Sequence, residues 1–454
     1  MRSEAARVLD CWSFQLASNS NTAKVWMGQS KIKRMVTLRI AQRTLLCLGI
    51  VFLPFQTAFA EQEQSADSLT LNQALSQAVA DHPTILQRLN EYEAAQSERE
   101  VAGYQRYPTV SLSTSESNRD ITQTNTVIQQ PIWTGGRITA GIAEAEAGLK
   151  ASSHAITQAQ TLILSETALR FFELQRAVQS EAIARDNIAE HERLYDIIKR
   201  RVEAATSPDV DEMLALARLQ YAETDALAFE GAKASALGAL GQLVGDTVGA
   251  ISEQGLPAPL MLNRDSLIEV VLDYAPSLAG LDAESDRLEA QVDVAKADAR
   301  PQLALAYDRR FGDLLPGQQQ EQLSLQVEYT PGAGFSKQSA IAAARARQRG
   351  AMQALEAEKR ALTTQADILW SELQSAYRQK APAQRLVEAT EEVVDSYLRQ
   401  YTVGRKSWLD VLNAQREATQ AKYNWVNVQT SMLTAHYRLQ VLMGQINANA
   451  LMSE

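Results

Sequence analysis

The two halves of this chain repeat one plan, and that duplication limits its possible folds more than any other feature. Pro83 and Pro276 are separated by 193 residues, and so are Pro108 and Pro301. In each half a polar, alanine-rich stretch joins the two prolines. The matching segments before them are LNQALSQAVADHP (71–83) and DSLIEVVLDYAP (265–276). An internal match of this length predicts two copies of one structural unit.

Each half contains two short segments in which apolar and polar residues alternate, the period of a β-strand with unlike faces. In the clearest one, Leu323, Leu325 and Val327 alternate with glutamine and serine. The predicted strands are 108–117, 124–131, 301–309 and 321–329. Segments of about nine residues cross an outer-membrane bilayer when tilted. A half-buried strand of a soluble sandwich alternates in the same way and stays as the alternative.

Very long helical segments follow each pair of strands. The predicted long helices are 137–203, 209–244, 336–403 and 408–443, with shorter helices ahead of the strands. A helix of some 65 residues measures about 100 Å. Isoleucine or leucine recurs every seventh residue at Ile142, Leu149, Ile156 and Ile163, which is typical of a coiled coil. An ordinary coiled-coil hairpin would show the same heptads.

These patterns divide the chain into five parts. They are a leader (1–60), a first structural repeat (61–245), a linker (246–263), a second repeat (264–446) and a C-terminal tail (447–454). The predicted fold class is mainly α with a membrane β part. It combines long coiled-coil α-hairpins with four strands.

The leader has the pattern of a secretory signal peptide. Basic residues at 31–43 precede an apolar run at 45–55, which ends at Ala58-Phe59-Ala60. Met35 is the expected true start. Both cysteines, Cys11 and Cys47, lie in this leader, so we expect a mature chain without disulfides or thiolate metal sites. Cys47 follows Leu46 inside the apolar core, unlike a lipid-modified cysteine.

Four strands are too few to close a barrel, because the smallest barrels need about eight. In lipid, open strand edges would leave backbone groups without hydrogen bonds, at several kcal/mol each. If the strands cross a membrane, copies of the chain must therefore share one barrel. Aromatic residues lie at the helix-side ends of the strands, where an interfacial girdle is expected. They are Tyr104, Tyr107, Trp133, Tyr329 and Phe335.

Three motifs resemble the TolC family of outer-membrane efflux and type I secretion channels. They are Tyr107-Pro108 before the first strand, Trp133-Thr134-Gly135-Gly136-Arg137 after the second, and YTVGRKSWLDVLNAQ at 401–415. The resemblance covers residues 68 to 446. It implies a homotrimer with a shared β-barrel in the outer membrane and an α-barrel in the periplasm. It also implies a periplasmic adaptor and an inner-membrane ABC or other efflux transporter as partners.

The resemblance also implies roles for single residues. Asp410 matches an inward-facing aspartate that narrows the channel tip, and Asn413 replaces the second acid of that constriction. Tyr401 and Lys406 match positions that hold the tip closed, with lysine in place of arginine. Asp211 is the expected acidic partner, and Asp209 and Glu212 are the alternatives. A helix-capping role is the alternative for Asp410.

Glycines at Gly135, Gly136 and Gly404 are expected to form turns between elements. The four histidines are scattered, without the spacing of metal ligands. We therefore expect no enzyme activity, catalytic residues, cofactor or metal. The acidic charge of the chain, −10 overall, argues against nucleic acid as a partner.

The functional prediction is an outer-membrane exit duct reaching into the periplasm. Type I protein secretion is slightly favoured over tripartite drug efflux, because many efflux relatives are lipoproteins and no lipid-anchor cysteine is evident. A secreted coiled-coil structural protein or adhesin is the alternative from another class. It would explain the heptads but not the duplicated strands.

Overall fold

A computed structural model describes residues 68–117, 121–312 and 317–451 of this chain. The predicted signal peptide and Met35 lie outside these residues. The helices are α1 (Leu71–Asp81), α2 (Pro83–Tyr104), α3 (Arg137–Glu203), α4 (Asp209–Val244), α5 (Arg264–Tyr274), α6 (Pro276–Asp298), α7 (Ser336–Thr402), α8 (Trp408–Leu442) and α9 (Ala448–Leu451). The strands are β1 (Thr109–Ser117), β2 (Ile121–Trp133), β3 (Gln302–Gly312) and β4 (Glu321–Glu328).

The strands differ from the sequence prediction mainly at their ends. β2 was expected over 124–131 but continues at both ends, and β3 extends three residues past the expected end at 309. The added residues lack clean alternation, yet they pair with neighbouring strands. α7 and α8 each end one residue before the predicted position. The predicted tail at 447–454 contains α9, whose Ala448 is buried.

The two long helices, α3 and α7, organise the helical part of the protein. Each has 67 residues, about 100 Å of helix. Toward the end away from the sheet, α4 packs on α3, α3 packs on α8, and α8 packs on α7. Toward the sheet, α2 packs on α3, α3 on α6, and α6 on α7. Helices α4, α2 and α7 therefore lie at the edges of these two layers.

Two apolar clusters repeat the same packing in each half of the chain. In the first, α1 packs on α3, where Leu75, Phe171 and Phe172 are almost completely buried. In the second, α5 packs on α7, where Leu267 and Leu373 are fully buried. The linker is tied down by backbone hydrogen bonds between Leu69 and the 250–252 segment. Burying this much apolar surface stabilises the middle of the long helices.

The four strands form one antiparallel sheet in the order β1-β2-β3-β4. Among the described residues, β1 and β4 each have a partner strand on one side only. The strands have 8 to 13 residues, long enough to cross a bilayer when tilted.

The strand register places residues of similar polarity from all four strands on the same face of the sheet. Val110, Ile128, Tyr307 and Leu323 lie side by side across the sheet. One residue along, Thr109, Gln129, Ala306 and Ser324 form a row on the opposite face. One face is therefore predominantly apolar and the other predominantly polar.

Neither face of this sheet is covered. Ala306 alone is buried among the strand residues whose side chains the structure describes. The most exposed apolar side chains of the strands, at 64–71 % exposure, are Val110, Leu112, Leu323, Leu325 and Val327. The sheet is thus not half of a sandwich within one copy, because nothing in the described chain packs against it. Within the same residues, no helix contains an 18-residue segment apolar enough to cross a membrane.

The turn from β2 into α3 requires glycine. Gly135 has a φ of +62°, and a Cβ there would lie 2.9 Å from the Cβ of Arg300. The Arg300 guanidinium donates a hydrogen bond of 2.8 Å to the Gly135 carbonyl oxygen. Gly136, with a φ of +94°, occupies the N-cap position of α3. This pair positions the long helix against the start of β3.

We expect Gly135→Ala to lower the free energy of unfolding by about 1–2 kcal/mol, because the left-handed backbone and the contact with Arg300 both disfavour a side chain. The matched control is Gly141→Ala in α3, where no atom lies within 4 Å of the new Cβ. There alanine should stabilise the helix slightly. Thermal unfolding followed by circular dichroism checks both, and equal behaviour of the two variants would contradict this account.

Candidate functional site

The two interhelical turns farthest from the sheet have the same construction. After α3, Ala205 adopts a left-handed φ of 53°, and after α7, Gly404 does so with a φ of 75°. In each turn two backbone amides donate to carbonyl oxygens of the last helical turn. These bonds satisfy groups that a helix end would otherwise leave unpaired. We call the residues around both turns the tip.

Tyr401, the last aromatic residue of α7, is buried at the centre of the tip. Its ring lies 5.1 Å from that of Trp408, and the Arg201 guanidinium carbon lies 4.7 Å above it. Its hydroxyl is 3.3 Å from the Ser207 hydroxyl. Arg201 and Ser207 belong to the first half of the chain. Tyr401 therefore joins the two hairpins through a cation–π contact and a hydrogen bond.

An apolar cluster surrounds this contact and joins all four helices at the tip. Leu194 and Ile198 of α3, Ala215 of α4, and Val411 and Leu412 of α8 are almost fully buried. The hairpins are consequently held together at the tip by buried apolar surface as well as by polar contacts.

Lys406 lies against an aromatic ring at the tip. Its Nζ lies 4.1 Å from the Tyr397 ring centroid. In the described part of this single chain, no ion pair joins Lys406 to Asp211. Instead the Tyr195 hydroxyl donates a 3.1 Å hydrogen bond to Glu212, one residue farther along α4. That carboxylate raises the pKa of the Tyr195 hydroxyl.

Asp410 forms a capping box at the start of α8. The backbone amide and the hydroxyl of Ser407 both donate to its carboxylate, at 3.1 and 2.8 Å. In return the Asp410 amide donates to the Ser407 hydroxyl. These bonds hold the pKa of the Asp410 carboxyl below its ordinary value, and the charge of Lys406 adds to the effect. Asn413 lies one helical turn later and is partly exposed.

Sequence reasoning singled out Tyr401, Lys406 and Asp410 but missed Arg201, Ser207 and Trp408. The sequence did contain a signal for Ser207. When the two duplicated turns are aligned with Ala205 on Gly404, Ser207 falls at the position of Lys406. The partners of Tyr401 depend on how closely the two hairpins approach, which no local pattern encodes.

The model of a family described as "Outer membrane efflux protein" matches residues 74–246 and 267–445 of this chain. The two matched ranges correspond to the two halves. Nodulation protein T of Rhizobium leguminosarum bv. viciae is 25 % identical over 411 residues, which cover 82 % of this chain and 81 % of that protein.

Solved structures with the same fold include two outer-membrane proteins. VceC of Vibrio cholerae gives a TM-score of 0.72 at 17 % identity, covering 82 % of this chain and 96 % of that one. The outer membrane channel CmeC of Campylobacter jejuni gives 0.70 at 14 % identity, covering 83 % and 86 %. The predicted fold class, a duplicated and mainly helical protomer with a small sheet, is confirmed by these similarities.

The duplicated turns predict opposite effects of exchanging their left-handed residues. Ala205→Gly should stabilise the chain by about 0.5–1 kcal/mol, because only glycine adopts this backbone without strain. Gly404→Ala should cost a similar amount. Denaturant unfolding of both variants measures these changes. Loss of stability in Ala205→Gly would show that the two turns are not equivalent.

Proposed function

This chain belongs to the outer membrane efflux protein family, as its resemblance to the TolC family predicted, and we propose that several copies assemble into an exit duct. The duct conducts exported substrates across the periplasm and the outer membrane. Energy comes from an inner-membrane transporter, and a periplasmic adaptor couples the two. The chain itself supplies a passive conduit rather than catalysis.

The observation that carries this proposal is the exposed sheet with two open edges. Its apolar face suits lipid, and its polar face suits a water-filled lumen. Four strands cannot close on themselves, and open edges in lipid are costly. Pairing β4 of one copy with β1 of the next removes both edges. The TolC resemblance favours three copies, which would give a twelve-stranded barrel.

The helices have matching open edges. α4 carries an uncharged stripe that is exposed except at the half-buried Ala217. α7 carries an exposed uncharged stripe that is interrupted between Ile368 and Gln379. The α4 stripe is Val210, Met213, Ala217, Tyr221, Thr224, Ala228, Gly231, Ser235 and Gly238. The α7 stripe is Ala343, Ala346, Gly350, Ala357, Ala361, Thr364, Ile368, Gln379, Leu386 and Val393. Small uncharged residues let neighbouring helices approach closely, so α7 of one copy would pack on α4 of the next.

The expected aromatic girdle supports the same orientation in the membrane. Tyr104, Tyr107, Trp133, Tyr329 and Phe335 are 50–72 % exposed at the helix-side end of the sheet. Aromatic side chains with one polar end favour the boundary between lipid and water. The helices would therefore begin at the periplasmic surface of the outer membrane.

The tip is the proposed gate. Symmetry-related copies of Asp410 and Asn413 would surround the channel axis, and a ring of carboxylates attracts cations. Tyr401, with Ser207 and Arg201, would hold the two hairpins of one copy together in the closed state. Lys406 and Asp211 do not pair within one chain, so any lock between them would join neighbouring copies.

Two cargo classes share this duct. Type I protein secretion is slightly favoured from the sequence, and tripartite drug efflux is the alternative. Deleting the gene and measuring drug sensitivity and exported proteins separates them. Loss of exported proteins with unchanged drug sensitivity would identify secretion, and the reverse result would identify efflux. A chain recovered as a water-soluble monomer would contradict both.

We expect Tyr401→Phe combined with Lys406→Ala to open the tip. Tyr401→Phe removes the hydrogen bond to Ser207 that joins the two hairpins, about 1 kcal/mol, which would raise the open population about fivefold. Lys406→Ala removes the charge that would join neighbouring copies. Single-channel recording in planar bilayers measures this increase. The control is Tyr377→Phe, which removes a distant α7 hydroxyl that bonds the Ala258 carbonyl oxygen. Unchanged conductance in the double variant would count against the gate.

We also expect Asp410→Asn to abolish cation preference and Asn413→Asp to strengthen it, measured as reversal potentials in a salt gradient. Because hydrogen bonds from Ser407 lower the pKa of Asp410, the carboxylate stays ionised as the pH falls from 7 to 5. Preference should persist to a lower pH than an aspartate without these hydrogen bonds would allow. Ser407→Ala should move the loss of preference to higher pH, and an unchanged profile would show that Ser407 does not control the charge.

A further inference from the structure

The start of α7 is basic, whereas the net charge of the chain is −10. From Ser336 to Leu355 its only charged residues are Lys337, Arg345, Arg347 and Arg349. Lys337 lies 4.0 Å from Asp298 of α6. The three arginines are exposed, and in the part of the chain that the structure describes none makes an ion pair or a side-chain hydrogen bond.

Helix α2, at the opposite edge of the same layer, is acidic. Glu91 pairs with Arg88 at 2.6 Å, and Arg99 pairs with Glu146 of α3 at 3.3 Å. Three more carboxylates are exposed and have no side-chain partner within the described residues. They are Glu93, Glu98 and Glu100.

On each helix the charges flank an uncharged seam. The α7 seam is the part of its stripe nearest the sheet, formed by Ala343, Ala346, Gly350 and Ala357. Arg345 and Arg349, four residues apart, share one flank, and Arg347 lies on the other. The α2 seam is Asn90, Ser97, Val101 and Tyr104, which are all exposed. Glu93 and Glu100 lie on one of its flanks, and Glu91 and Glu98 on the other.

Measured along the helices from the sheet end, the opposite charges that share a flank lie within about 8 Å of each other. α2 runs toward the sheet and ends at Tyr104, whereas α7 runs away from it and begins at Ser336. Arg349 is about 20 Å and Glu93 about 16 Å along the helix from the sheet end, and Arg347 is about 16 Å and Glu98 about 9 Å from it. When α7 and a neighbouring α2 run antiparallel with these seams facing each other, Arg349 lies on the same side of the contact as Glu93. Arg347 then lies on the same side as Glu98.

We propose that α7 of one copy and α2 of the next form a charge-complementary seam that selects a second copy of this chain as the partner. This inference rests on the proposed ring assembly and names residues that hold it together. Two α7 edges repel each other, and so do two α2 edges. The seam therefore permits only head-to-tail contacts, which can close into a ring.

Charge reversal tests the seam directly. Arg347→Glu with Arg349→Glu should reduce the oligomer fraction of detergent-extracted protein about tenfold, because like charges then face each other. Adding Glu93→Arg and Glu98→Arg to the same chain should restore the oligomer. Analytical ultracentrifugation measures the fraction, and circular dichroism checks that each variant is folded.

A control with the same change in net charge is Lys150→Glu with Arg176→Glu on α3, which is not an edge helix. This variant should assemble normally. A monomeric wild-type chain would overturn the proposed duct itself. An oligomeric wild type whose Arg347/Arg349 variant also assembles, or is not rescued by the α2 exchange, would overturn the seam alone.

Discussion

The sheet's unpaired backbone edges are the constraint on which the rest of this structure depends. A strand edge presents amide and carbonyl groups that need partners, and a bilayer offers none. The sheet also has no core, since only Ala306 is buried among its described side chains. In the proposed duct, lipid on the apolar face and neighbouring strands at β1 and β4 supply the stability that one copy lacks.

The helices follow from the same requirement. Each layer of helices ends at an edge helix, α4, α2 or α7, that presents an uncharged stripe, and on α2 and α7 charges of opposite sign flank this stripe. The proposed ring of copies would cover all of these edges together with the strand edges. Because the chain is duplicated, the two sides of one copy present similar helices. Helix packing between copies can therefore repeat the packing within a copy. Within a copy α3 lies between α4 and α8, and between copies α7 would lie beside α4.

Much of the fold could be predicted from the sequence, because its signals are local. The alternation of Leu323, Leu325 and Val327 predicts a two-faced strand, and the heptads from Ile142 to Ile163 predict a long packed helix. The full extent of β2 could not be predicted, because its terminal residues are strand-like only through pairing with β1 and β3. At the tip, Tyr401 was found from its motif. Its contacts with Ser207 and Arg201 arise from the packing of two hairpins far apart in sequence.

Hydrogen–deuterium exchange of the membrane-embedded protein tests the shared sheet most directly. About half of the amides in β1 and β4 point away from the sheet and lack a partner within one copy. If β4 of one copy pairs with β1 of the next, these amides should exchange as slowly as those of β2 and β3. Rapid exchange at both edge strands, with β2 and β3 protected, would contradict the account.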